Sequence, residues 1–189
     1  MPLLSFAVVG SMGTLLLAVS AFTPAAIAAA LYYLLHSTFA AAALFLLADL
    51  VISRRHNDTL SAQQPVSQNG LFAAVFFVGA IGVTGMPPLS GFLGKLLVLD
   101  GVRDMPWMGE AWAAILIGSL VTIVGFARAG SVLFWKSTAL DTPEHSDQDA
   151  VTKVGVNQLT GVGLALAMLA LLSVFAGPVM GYLEGAAWQ

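Results

Sequence analysis

Five long apolar runs, separated by short polar links, decide what this chain can become. They cover residues 3–21, 25–53, 70–102, 110–135 and 156–183, and each is long enough to cross a hydrocarbon core that takes about 20 helical residues. In lipid the backbone must satisfy its own N–H and C=O groups, which leaves helices and closed barrels as the spanning solutions. A barrel needs alternating segments of about ten residues, and the stretch Phe-Ala-Ala-Ala-Ala-Leu-Phe-Leu-Leu at 39–47 does not alternate. The expected fold is all-α and membrane-integral: one transmembrane domain over residues 1–189, arranged as a five-helix transmembrane bundle.

Charged residues make up 9% of the chain, against roughly 25% in soluble domains. Most of the seven Lys/Arg and ten Asp/Glu fall in the links, so there is no basic surface for nucleic acid. The absence of cysteine rules out disulfides, thiolate metal sites and iron–sulfur clusters. His36, His56 and His145 have no metal-ligand spacing. Neither a nucleotide-binding glycine pattern nor a Ser/His/Asp constellation is present. No cofactor or metal is expected, and an enzyme acting alone is the weakest functional class. The start, Met-Pro-Leu-Leu-Ser, lacks the basic n-region of a cleavable signal; the first run is expected to stay as a membrane segment. Arg54, Arg55, Lys136 and Lys153 fall on one side of a five-span topology and Arg103 on the other. The positive-inside rule then puts the N-terminus in the cytoplasm and the C-terminus outside.

The third run is too long for one simple helix, since its 33 residues would reach roughly 50 Å against about 30 Å of hydrocarbon. It also carries its own breaker, Gly85-Met86-Pro87-Pro88-Leu89-Ser90-Gly91. Two prolines remove backbone donors and disfavour helix before them. The expectation is a Pro-broken pair of half-helices joined around Pro87, Pro88 and Gly91. Irregular backbone at membrane depth survives where protein or a watery cavity surrounds it, so this segment is expected inside the bundle. The alternative is an extramembrane turn between two ordinary spans. Pro24 is placed to start the second helix, Pro178 to kink the last, and Gly125, Gly130, Gly161 and Gly163 to allow close helix approach.

Lys95 follows the break by a turn or two, among Gly, Leu and Val, where a side chain cannot easily snorkel. Ionisable residues inside membranes are functional candidates by default. Desolvation and the positive end of a helix starting near Ser90 would both disfavour the charged ammonium and loosen its proton. The structural alternative is an ion pair, with Asp100 as one partner. His36 sits near the middle of the second run and carries two ring nitrogens suited to passing a proton. Ser37 and Thr38 beside it could hold the waters of a proton wire; the plainer reading is a core histidine bridging two helices. Arg128 either snorkels or pairs with an inward carboxylate, and Asp49 either feeds protons in or meets headgroups.

With these residues in hand, the chain resembles the C-terminal part of the antiporter-like membrane subunits shared by Mrp/Pha-type cation/proton antiporters and the membrane arm of respiratory complex I. Residues 30–50, Ala-Leu-Tyr-Tyr-Leu-Leu-His-Ser-Thr-Phe through Ala-Asp-Leu, look like the family's histidine-bearing helix. Residues 76–97, with Met-Pro-Pro-Leu-Ser-Gly-Phe-Leu-Gly-Lys, look like its broken helix, in wording similar to the D subunit of the Mrp/Pha systems. Arg-Ala-Gly-Ser-Val-Leu-Phe-Trp at 128–135 is similar to a stretch of that subunit too. The resemblance implies a part of a proton-driven Na⁺ or K⁺ export complex in a bacterial inner membrane, partnered by other antiporter subunits, with Lys95 and His36 along a half-channel open to the outside. Many relatives have a lysine four residues after the histidine, where this chain has Ala40; water or hydroxyls would then have to bridge His36 and Lys95. The family's N-terminal half, with its lysine–glutamate pair, has no counterpart here. Two other readings stay open: a non-conducting scaffold piece of such a complex, and a membrane subunit of an NADH:quinone oxidoreductase-type complex.

Overall fold

A computed structural model describes residues 2–55, 69–136 and 156–187. Among the described residues all regular structure is helical: α1 (Pro2–Ser20), α2 (Pro24–Arg55), α3 (Asn69–Thr84), α4 (Ser90–Gly101), α5 (Met108–Gly130) with a π-helical turn at Ser131–Trp135, α6 (Val156–Val174) and α7 (Ala176–Ala187). Most of the two long polar links, with His56, His145 and Lys153, lies outside the described residues.

The link between α1 and α2 is tight. Pro24 is the first helical residue of α2, where a missing N–H costs nothing. The Thr23 hydroxyl accepts from the Ala26 amide at 3.2 Å, capping the helix. α2 is the hub of the fold, packing against α1, α3, α4, α6 and α7. Tyr32, fully buried, donates to the Leu172 carbonyl at 2.9 Å and ties α2 to the end of α6.

Among the described residues three helices are long and apolar enough to cross a membrane: Pro2–Ser20, Pro24–Ile52 and Met108–Trp135. The fifth run would add a fourth span if its bent pair counts as one, short of the expected bundle of five whose third member is a Pro-broken pair of half-helices. Prolines accompany the interruptions of both the third and the fifth run. Residues 85–89 separate α3 from α4, helices of 16 and 12 residues. α6 and α7 meet at Phe175 with a bend of 77°. Pro178 stands in the first turn of α7, where its ring excludes the helical bond back to Val174.

The interior is layered. At one end of the bundle Leu4, Leu44, Leu47, Phe72, Phe76, Phe126 and Phe134 form an apolar cluster. Phe76 lies 5.5 Å from Phe134 and 6.0 Å from Phe126, ring centre to ring centre, so the π-helical turn feeds Phe134 into this aromatic core. At the other end Ala18, Ala29, Ala30, Val98 and Ile115 form a second cluster, continued by Ala26, Val102 and Ala111. Between the two, along α1, α2 and α5, lie Ser11, Thr14, His36 and Ser119. Ser90 and Lys95 of α4 meet His36 and Ser119 in that band.

Small residues set how closely α4 approaches α2. A Cβ at Gly94 would stand 2.9 Å from the Tyr33 ring, and one at Gly101 2.9 Å from the Ala26 Cα. Of the glycines expected to serve close packing, Gly125 abuts Leu3 and Gly130 abuts Phe77 at under 3 Å, Gly161 makes ordinary contact with Leu46, and Gly163 faces open space. Position along the chain does not reveal which side of a helix meets a neighbour. This contrast makes a matched pair of variants. Gly94→Val should lower the thermal unfolding temperature of the detergent-solubilised protein, at an overpacking cost of about 1–3 kcal/mol, whereas Gly163→Val should leave it unchanged; equal effects would show that the α2–α4 seam is not tight.

Candidate functional site

The break between α3 and α4 generates the site. When α3 stops at Thr84 its last carbonyls have no intrahelical partner, and in an apolar interior each orphaned group is costly. Lys95, on α4, sends its side chain back along the helix, as helical side chains do. Its Nζ donates to the Thr84 carbonyl at 2.7 Å and to the Ser119 hydroxyl at 2.7 Å. Ser119 in turn donates to the Ile115 carbonyl one turn earlier in α5 at 2.7 Å. One amine thus joins three helices and satisfies a carbonyl that the break exposed.

This geometry corrects two expectations about Lys95. The ammonium meets the negative, C-terminal end of α3 rather than the positive end of α4, because its long stem carries it past Ser90 to Thr84. The ion pair with Asp100 does not form. Asp100 is exposed and pairs with Arg103 at 3.0 Å, one turn on.

Gly85 makes room for this contact. Its φ of +78° lies in the left-handed region, and a Cβ there would stand 2.8 Å from the Lys95 Cδ and 3.0 Å from its Nζ. Gly91 does the same for the histidine: a Cβ would collide with the Gly82 carbonyl oxygen and come within 2.9 Å of the His36 ring. His36 is buried, and its Nδ1 lies 3.0 Å from the hydroxyl of Ser90, the fully buried first residue of α4. The histidine on α2 therefore grips one end of α4 while the lysine grips the end of α3.

Two cavities adjoin these groups. One, of about 280 Å³, is lined by Lys95, Ser119 and Thr122 with Ser11, Thr14 and Tyr33. The other, of about 110 Å³, is lined by His36, Ser37, Thr38 and Ala40 with Ser11. Ser11 is the central residue of α1, Ser119 lies near the middle of Met108–Trp135, and His36 lies two residues from the centre of Pro24–Ile52.

The remaining predicted residues are dispersed. Ser37 and Thr38 line the histidine cavity, but both hydroxyls donate to the Leu34 carbonyl, at 3.1 and 2.8 Å, as helical serines and threonines do. Arg128 and Asp49 lie away from the cavities, both exposed, Arg128 near the π-helical turn and Asp49 near the end of α2. Met86, Pro87 and Pro88 are exposed as well, contrary to the expectation that the whole break is enclosed. The tip of the break faces outward, held to α6 by the Ser173 hydroxyl donating to the Pro88 carbonyl at 2.8 Å, and only its helical flanks are buried. Ser90 and Ser119, the partners of His36 and Lys95, escape a reading of the sequence as functional residues. Ser90 stands beside the break and could have been found by that adjacency, whereas nothing in the sequence links Ser119 to Lys95, 24 residues away.

Long apolar helices around a half-buried amine and a buried imidazole define a multi-pass membrane protein. Residues 2–125 match the family described as NADH:quinone oxidoreductase/Mrp antiporter, TM, and the chain belongs to that family. It is 29% identical to the D subunit of a probable K(+)/H(+) antiporter of Rhizobium meliloti, over 98% of this chain and 38% of that protein. It is 30% identical to the D subunit of the Na(+)/H(+) antiporter of Bacillus subtilis, over 79% of this chain and 30% of that protein. The N subunit of an NADH-quinone oxidoreductase from Myxococcus xanthus is 29% identical over 82% of this chain and 30% of its own length. The chain thus spans well under half the length of these relatives. In fold it is similar to a chain in the structure of the Mrp complex from Dietzia sp. DQ12-45-1b, with a TM-score of 0.73 over 94% of this chain and 40% of that one, at 22% identity.

The contact between Gly85 and Lys95 is testable by a double-mutant cycle. Gly85→Ala should destabilise the protein by the left-handed backbone cost of roughly 1–2 kcal/mol plus the clash with the amine. In a Lys95→Ala background the clash disappears, so the cost of Gly85→Ala should fall measurably in thermal unfolding. Strict additivity would mean that the two residues do not touch.

Proposed function

We propose that this chain is a proton-conducting part of a multisubunit Na⁺ or K⁺/H⁺ antiporter of the bacterial inner membrane, with protons passing Lys95 and His36. The observation that carries the reading is the Lys95 amine, hydrogen-bonded between a broken helix and Ser119 on the wall of a cavity that Ser11, Thr14, Tyr33 and Thr122 also line. The cavity is level with the middle of two candidate spans, which supports mid-bilayer depth, where a lysine is expensive to keep unless it serves transport. A lysine amine has three donors, and the two protein contacts leave the third for the cavity. The antiporter relatives support cation/proton exchange and a hetero-oligomeric setting with other antiporter subunits.

On this reading α3 and α4 form one interrupted crossing and α6 and α7 another, giving five crossings within a single transmembrane unit, with the N-terminus cytoplasmic and the C-terminus outside. His36 is the second proton carrier. Ser37 and Thr38 line its cavity as auxiliary polar groups, while Asp49 and Arg128 act near the cytoplasmic ends of their helices. Translocation, rather than catalysis, is the activity. The NADH-quinone oxidoreductase relatives support a second reading, in which the same groups work in a complex driven by a redox partner.

In vesicles carrying the assembled complex, Lys95→Ala should abolish cation/proton exchange while assembly persists, and His36→Ala should slow it less. Unchanged exchange in the Lys95 variant would leave the scaffold reading instead. Exchange driven by an imposed pH gradient without NADH or quinone supports the antiporter; a strict requirement for both supports the redox-driven complex.

A further inference from the structure

Ala40 stands where the resemblance would place a second lysine, so the two proton carriers of the proposed path need another connection. The two cavities share three lining residues, Ala7, Ser11 and Val83. Of these only Ser11 carries a polar side chain. It is half-buried at the centre of α1, and its hydroxyl donates to the phenolic oxygen of Tyr33 at 3.3 Å. Tyr33 is buried, lies one turn before His36 on α2 with its ring centre 5.7 Å from the imidazole, and lines the lysine cavity. Its ring also packs against Gly94, the residue beside Lys95. Ser11 and Tyr33 therefore stand between the carriers, one on each side of the α1–α2 seam, with Thr14 on the same wall.

We propose that the Ser11–Tyr33 hydroxyl pair is the bridge that passes protons between the Lys95 cavity and the His36 cavity, a role that rests on the conducting function proposed above. The lysine cavity is large enough for several waters, each of which occupies about 30 Å³ in the liquid. In each transfer a hydroxyl oxygen accepts a proton from the neighbour on the Lys95 side and releases its own proton to the neighbour on the His36 side, so both hydroxyls end neutral. His36 takes the proton on one ring nitrogen and gives one up from the other; Lys95 ends as the neutral amine until it is reprotonated. A hydroxyl suits this position because it is both donor and acceptor, whereas an ammonium only donates.

The pair Ser11→Thr and Ser11→Val differs by one hydroxyl against one methyl, so packing is matched. In vesicles carrying the assembled complex, the Val variant should exchange cations for protons about tenfold more slowly than the Thr variant, below the roughly 10²-fold or greater loss of a positioned acid–base group because water substitutes in part. Tyr33→Phe, which removes one oxygen from a buried ring, should slow exchange likewise and enlarge the solvent deuterium isotope effect, which a packing defect would not. Equal rates for Thr and Val at position 11, together with an unaltered isotope effect in Tyr33→Phe, would overturn the bridge. If Lys95→Ala still abolishes exchange in that case, the conducting reading stands without this bridge. If Lys95→Ala is itself without effect, the conducting reading falls first.

Discussion

A helix that stops inside an apolar layer must find partners for the carbonyls it leaves behind, and in this protein an amine supplies one. The hydrogen bond from Lys95 to the Thr84 carbonyl closes the gap between α3 and α4 from the side. Gly85 makes it sterically possible and Ser119 fixes it to α5. The same contact keeps the amine beside a cavity. An anchor that serves only structure could be provided at lower desolvation cost by a serine or threonine, which back-bond readily to helical carbonyls. A lysine in that place brings a titratable group to a point where three helices meet.

The surrounding layers give the contact its setting. Between the apolar clusters at the two ends of the bundle lies a band that holds the buried side chains of Thr14, His36 and Ser90. Low dielectric above and below strengthens hydrogen bonds within the band and makes each unpartnered group costly. Among the described residues no buried side-chain nitrogen or oxygen lacks a partner. Glycines on α4 bring its backbone against Tyr33 and His36, so the band is both polar and closely packed. The hydrophobic effect does little to hold helices together in lipid, where close packing and interhelical hydrogen bonds carry association; Tyr32 to Leu172 and Ser173 to Pro88 are two such bonds.

The apolar runs, the break at the two prolines and the placing of Lys95 and His36 within apolar runs are legible in the sequence because each is a local property: length, missing donors, and charge out of place. What the side chains touch is not legible. Ser90 and Ser119 become partners only through the packing of α2 and α5 against α4. The helix-end field at Lys95 has the opposite sign to the expected one because the side chain's reach, and not the nearest helix start, decides which end it meets. Ser37 and Thr38 resemble water ligands by adjacency, yet helical geometry turns their hydroxyls to Leu34. The exposure of Pro87 and Pro88 likewise depends on what lies across from them, where Ser173 reaches over from α6 to the Pro88 carbonyl.

The chain covers 38% of the Rhizobium meliloti relative and 30% of the Bacillus subtilis one, so on the proposed reading its site is to be judged in the assembled complex. The most direct measurement is a cryo-electron microscopy structure of that complex in lipid nanodiscs, resolving the Lys95 side chain and the bilayer boundaries together. The account predicts the amine within the hydrocarbon core, at hydrogen-bonding distance from the Thr84 carbonyl and beside a hydrated cavity. An amine at headgroup level, or α3 and α4 joined outside the bilayer, would contradict it.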